Sequence, residues 1–244
     1  MIRKMTETKS DEKEQTLLDK SINLYIRPSR VLSTLKDRPT WWFPFTIIVI
    51  VTIISAFSTT DLQVKAQRDF INNSEMIPEE NKVDMLDALD EQGLLNKQVA
   101  PAIGGALSVG ISYLIIAGAL LLFGNFIYGG QASFKQMFSL VSWGGLINLP
   151  ELIIKLPVML AKGTLFVTTS LAIFLSNSES KTLFYNLLDA LDIFSIWKII
   201  VFSIGFAIIY NFSMKKSYIA VIVLYLIYAG VSIGLGQLFK GVML

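Results

Sequence analysis

Four charged residues sit inside or at the edge of apolar runs: Glu151, Lys155, Asp192 and Lys198. Glu151 and Lys155 are four apart, so one helix face carries both. Pro150 and Pro157 flank that face, each removing a backbone donor and loosening the helix. A broken, charged helix can mark a transport site, and it can equally be a static kink with an internal ion pair. Other chemistry is removed by inventory. The chain has no His and no Cys, hence no disulfide, no zinc site of the Cys/His kind and no imidazole base. No Gly-x-Gly-Asp, His-Glu-x-x-His or Ser-with-base arrangement of an intramembrane protease is present. Gly104-Gly105 and Gly129-Gly130 lack the Lys and Ser/Thr that complete a phosphate-cradling loop. The reading is non-enzymatic, with no catalytic residue, cofactor or metal. A formal net charge of +2 is too small to argue for nucleic acid.

The elements that must position these charges are membrane spans. Of 244 residues, 53% are hydrophobic and 16% charged, against about 25% charged in an ordinary soluble domain. The apolar residues collect into runs near the ~20 residues that cross a bilayer. Five are expected, at about 41–58, 102–128, 137–160, 193–210 and 218–238. The fold class is therefore all-α, a polytopic transmembrane helical bundle. Trp41 and Trp42 open the first span, where indoles favour the interface. Thr164–Leu175 is apolar but too short to cross, and reads as interfacial or re-entrant.

Residues 1–20 are polar and read as a disordered tail. Residues 21–40 read as an interfacial amphipathic segment. Ser29 could cap a helix with Val31, Leu32 and Leu35 on one side, lying apolar side down among headgroups. Arg27, Arg30, Lys36 and Arg38 would then contact lipid headgroups. The segment 59–99 is polar and acidic. Pro78 with Glu79 and Glu80 starts a helix there, and Gly93 ends one. Val83, Leu86 and Leu89 give it an apolar side. Asp84, Asp87 and Asp90 beside them could bind a cation or basic partner, with a plain solvated face as the simpler reading.

Orientation follows from the basic residues. Nine Lys/Arg lie between Arg3 and Arg38, and Lys135, Lys215 and Lys216 fall on the same side of a five-span chain. The sparser Lys65, Arg68, Lys82, Lys97, Lys162, Lys181 and Lys240 fall on the other. The N-terminus is expected in the cytoplasm and the C-terminus outside. In that frame Glu151 and Lys198 both lie about 9 Å below the outer surface at 1.5 Å per residue. A direct Glu151–Lys198 contact is expected, with Lys155 and Asp192 completing the cluster; the alternative is Glu151 satisfied by Lys155 alone. Two small-residue stripes, Ala106/Gly110 in the second span and Gly230/Gly234 in the fifth, allow close helix approach, within the bundle or to a partner.

Three segments carry a family resemblance: IRPSRVLSTLKDRPTWWFPF (Ile26–Phe45), GGQASFKQMFSLVSWGGLINLP (Gly129–Pro150) and LDIFSIWKIIVFSIGFA (Leu191–Ala207). Their order and spacing resemble bacterial members of the Ypt-interacting-protein family, the YIP domain. The resemblance implies five spans with a cytoplasmic N-terminus, in the inner (plasma) membrane of a bacterium. It implies an accessory or scaffold protein that binds other membrane proteins, ABC exporter components among them, or organises the lipid bilayer; a homo-oligomer is also open to it. The eukaryotic Asp-Leu-x-Gly-Pro signature is missing, which argues against a GTPase partner. The alternative function is a small transporter or channel built on the charged third span.

Overall fold

The computed structural model describes residues 16–74, 76–165, 167, 170 and 192–242. Two short helices come first, α1 (Leu17–Ile26) and α2 (Pro28–Asp37), followed by α3 (Trp42–Ser58). Beyond it lie α4 (Thr60–Asn73) and α5 (Glu79–Glu91). The long α6 (Ala100–Leu122) has a π-helical turn at each end, Leu95–Val99 and Phe123–Ile127. Then come α7 (Phe134–Gly145), α8 (Asn148–Lys162), α9 (Ile193–Tyr210) and α10 (Met214–Val242). The chain is an all-helical, polytopic membrane bundle. Among the described residues, four helical segments are long and apolar enough to cross a bilayer: Leu95–Ile127, Phe134–Lys162, Ile193–Tyr210 and Met214–Ser232. The pair α3 and α4, bent by 62°, passes the same test as a fifth.

The core forms around α7. Every residue from Met137 to Gly145 is buried, and α7 packs against α6, α9, α3 and α2. Ser133 and Gln136 start it with a reciprocal capping box, the Ser-x-x-Gln pattern that satisfies two orphan backbone donors. The buried hydroxyls of Ser139 and Ser142 donate to the carbonyls of Lys135 and Phe138 at 2.7 and 2.8 Å. They are helix-internal bonds, not poised nucleophiles.

The third span, expected over 137–160 with its helix loosened at Pro150 and Pro157, is interrupted before either proline. It breaks between α7 and α8 at Leu146 and Ile147, ahead of Pro150. Pro150 then occupies the first turn of α8, where no backbone donor is needed. Pro157 lies inside α8. The Leu146 carbonyl accepts the Leu149 backbone N–H at 3.0 Å and, in addition, the Tyr25 hydroxyl. Burial pushes the Tyr25 pKa up to about 12, so the phenol remains a donor across the physiological range. Tyr25→Phe should cost about 0.5–1.5 kcal/mol, the net worth of one hydrogen bond, because the carbonyl keeps the Leu149 N–H,. A hydroxyl whose pKa is higher folded than unfolded contributes stability below the unfolded value near 10. That contribution fades as pH rises from 10 through about 12,. Thermal melts at pH 8 and 11 should therefore converge for parent and Tyr25→Phe at the higher pH.

The N-terminal region requires three corrections. Leu17–Lys20, expected within the disordered tail, open α1 behind a Thr16–Asp19 capping box; the rest of the tail expectation lies outside the described residues. Helix α2 starts at Pro28 with Arg27 as its cap residue, not at Ser29, since Pro at the first helical position is pre-set for the turn. Its apolar side does not rest on lipid. Val31, Leu32 and Leu35 are completely buried, and α2 packs on α9 and α7. The exposed apolar side in this region belongs instead to α1, at Leu18, Ile22 and Ile26.

The acidic segment 59–99 contains two helices, not one. Val64 and Ile71 of α4, with Ile77, Leu86 and Leu89, form a small separate core. Val83 is 61% exposed. Three-residue spacing advances 300°, so Val83 has turned about 120° away from Leu89 over two steps. Asp84, Asp87 and Asp90 are exposed, and Asp90 pairs with Arg68 of α4. Among the described residues no group of acidic side chains converges as a metal site. Of Thr164–Leu175, residues 164, 165, 167 and 170 are described, and Ser170 forms an isolated antiparallel bridge to Asp192. The rest of that expectation lies outside the described residues.

Candidate functional site

None of the residues of α8 is buried, although the helices around it pack closely. A cavity of about 380 Å³ separates it from α3, α6 and α9. All four charges singled out in the sequence line this space. Glu151 and Lys155 come from α8, Asp192 and Lys198 from the start of α9. Ile48, Val51 and Val109 supply apolar wall on the opposite side.

The charges play different parts. Lys155 Nζ donates to Glu151 Oε1 at 2.6 Å, with the two side chains 18% and 20% exposed. Asp192 is buried and caps α9, its Oδ1 accepting from the Ser195 backbone N–H at 2.7 Å. The cap sets where α9 begins and places a carboxylate at the positive end of the helix dipole. Lys198 stands six residues beyond the cap, nearly two turns along the helix. The charges of Glu151, Asp192 and Lys155 act on its ammonium, but it forms no hydrogen bond or ion pair among the described residues. The direct Glu151–Lys198 contact expected from sequence is thus replaced by the Glu151–Lys155 pair, because a neighbour on the same helix face is reached without moving α8 onto α9.

Four polar groups missed by the sequence reading also line it: Thr52 of α3, Tyr113 of α6, Asn148 of α8 and Ser195 of α9. The Asn148 side-chain oxygen is buried without a partner. Ser195 shares a side-chain hydrogen bond with Tyr225 of α10. Polar side chains in apolar runs were the available signal, and attention to charge alone passed over them.

The other singled-out residues lie elsewhere. Arg27 and Arg30 are exposed, Lys36 donates to Asn211 Oδ1 at 2.7 Å, and Arg38 is exposed and engaged. A methyl group added at Gly110 would meet Phe45 of α3 at 3.7 Å, so the Ala106/Gly110 stripe lies beside the bundle's own packing. At Gly230 and Gly234 it would meet nothing within 4 Å.

A family profile, the Yip1 domain, matches residues 22–235. The chain belongs to the Yip1 family. "Membrane protein YknW" of Bacillus subtilis (strain 168) is 26% identical over 208 residues, covering 81% of each chain. No solved structure matches. The Yip1 match begins inside α1 and ends within α10, so it takes in every wall of the cavity. A multi-pass membrane protein of the Yip1 family is what the fold and the comparisons establish together.

Proposed function

We propose that this Yip1-family protein is a non-enzymatic accessory or scaffold that binds other membrane proteins. The observation that carries the reading is the Gly230/Gly234 stripe of α10. It is flanked by exposed Leu226, Ile227 and Val231, and among the described residues nothing lies within 4 Å of a methyl group added at either glycine. Four-residue spacing of glycines lets another helix backbone come close, and close packing is what holds helices together in lipid. ABC exporter components and a second copy of the chain are the partners considered. Gly230→Leu with Gly234→Leu should leave melting of the isolated protein unchanged while reducing recovery of a crosslinked membrane partner at least fivefold. Undiminished crosslinking would overturn the proposal.

The reading places the protein in a bacterial inner membrane with the N-terminus cytoplasmic. Ser74, after α4, should then face outward, and Ser213, between α9 and α10, inward. Cysteines placed there should differ in intact cells, Ser74→Cys labelling with an impermeant thiol reagent and Ser213→Cys not. The reverse pattern would invert the orientation. Under the same reading Arg27, Arg30, Lys36 and Arg38 border the cytoplasmic leaflet, where basic side chains meet anionic headgroups. The charged cavity favours a second reading, a small transporter. Liposomes holding the purified protein that pass no ion, amino acid or lipid would exclude it.

A further inference from the structure

The cavity beside α8 carries a requirement that neither reading uses. Its charges cancel, Glu151 and Asp192 against Lys155 and Lys198. Two of its polar groups nevertheless have room for a partner among the described residues: the half-buried Lys198 ammonium, which makes no hydrogen bond or ion pair there, and the Asn148 side-chain oxygen, which is buried without a donor. Burying the Asn148 oxygen without a donor is unfavourable, and the Lys198 ammonium gains from any acceptor that shares its space. An anion alone would serve Lys198 and leave net negative charge in a low-dielectric site; a cation alone would do the opposite. A molecule bringing both a negative oxygen and an N–H donor satisfies both groups and keeps the total at zero. The volume, about 380 Å³, lies within the range of small-molecule sites.

We propose that the cavity between α8, α6 and α9 binds a zwitterion, through an anionic oxygen at Lys198 and an ammonium at Asn148. Phosphoethanolamine, as the headgroup of a phospholipid, and a free amino acid share this chemistry. The Tyr113 hydroxyl lines the same space and donates a further bond to the anionic group. Choline headgroups fit poorly, because a quaternary ammonium has no N–H to donate. The site stands independently of any protein partner and of any transport.

The test is native mass spectrometry of the full chain in detergent, with dihexanoyl phosphatidylethanolamine, phosphatidylcholine and phosphatidylglycerol at equal concentration. One phosphatidylethanolamine should be retained, at least tenfold over either of the others. Lys198→Gln and Asn148→Leu should each lower its retention at least tenfold, while Lys215→Gln, outside the cavity, should not. Should either cavity variant fail to fold, Tyr113→Phe, which removes one hydroxyl, should weaken retention about threefold. Alanine in millimolar excess separates the sources: displacement of the lipid assigns the site to a free amino acid, and retention of the lipid assigns it to the headgroup. Equal retention of all three lipids with no binding of alanine would overturn the proposal. So would parent-like retention by the folded variants.

Discussion

Gly144→Ala should destabilise the protein by about 2–3 kcal/mol, the range for overpacking a tight core. Gly144 is buried on α7, and a methyl group there would run into the Phe202 ring of α9. An aromatic ring cannot fold aside as the end of an aliphatic chain can, so the two helices must separate. Because α7 also touches α6, α3 and α2, separation spreads through the whole core. Phe202→Leu alone should cost about 1 kcal/mol, and in the double variant it should recover part of the Gly144→Ala loss by making room. Gly104→Ala is the contrast: a methyl group there meets nothing within 4 Å. That change should be neutral or stabilise by up to about 1 kcal/mol, through helix propensity. Melting temperatures of the four variants in one detergent check the ordering. Equal losses at Gly144 and Gly104 would show that α7 and α9 do not pack at this point.

The same contact explains which parts of the fold were legible in the sequence. Spans were legible because a bilayer sets their length, and α9 runs from Ile193 to Tyr210 as read. The inward face of each helix was not, since a span apolar all round gives no periodicity to read. Helix α2 was misplaced for a related reason. An amphipathic helix declares an apolar side but not what covers it, and Val31, Leu32 and Leu35 are covered by α9 and α7. The missed α4 shows the converse. Its apolar contacts, Val64 and Ile71, are seven apart in a mostly polar stretch, and Ile77, Leu86 and Leu89 of the following chain complete their core.

At the cavity, residue types were legible and pairings were not. Charges in apolar runs are rare enough to single out Glu151, Lys155, Asp192 and Lys198, and they share one space. Matching depth on α8 and α9 suggested that Glu151 meets Lys198. Depth fixes height in the membrane but neither helix rotation nor the gap between helices. The break at Leu146–Ile147 interrupts the helix ahead of α8, and no residue count predicts where it falls.

The charge pairing yields the last expected result. Lys155→Met should cost roughly 3 kcal/mol, because it leaves the Glu151 carboxylate without its partner at mostly buried depth. Glu151→Met should cost a similar amount by stranding Lys155. Removing both together should cost no more than either change alone, a coupling of about 3 kcal/mol, since a matched apolar pair needs neither charge solvated. Lys198 should behave differently. It forms no bond with Glu151 among the described residues, so Lys198→Met relieves desolvation without stranding a partner and should be neutral or stabilising in protein without ligand. The Glu151/Lys198 cycle should accordingly show a coupling below about 1 kcal/mol. Melting curves of the two cycles in detergent settle the question. A larger coupling through Lys198 than through Lys155 would restore the pairing across α8 and α9 that the sequence suggested, and it would leave the cavity without a free ammonium.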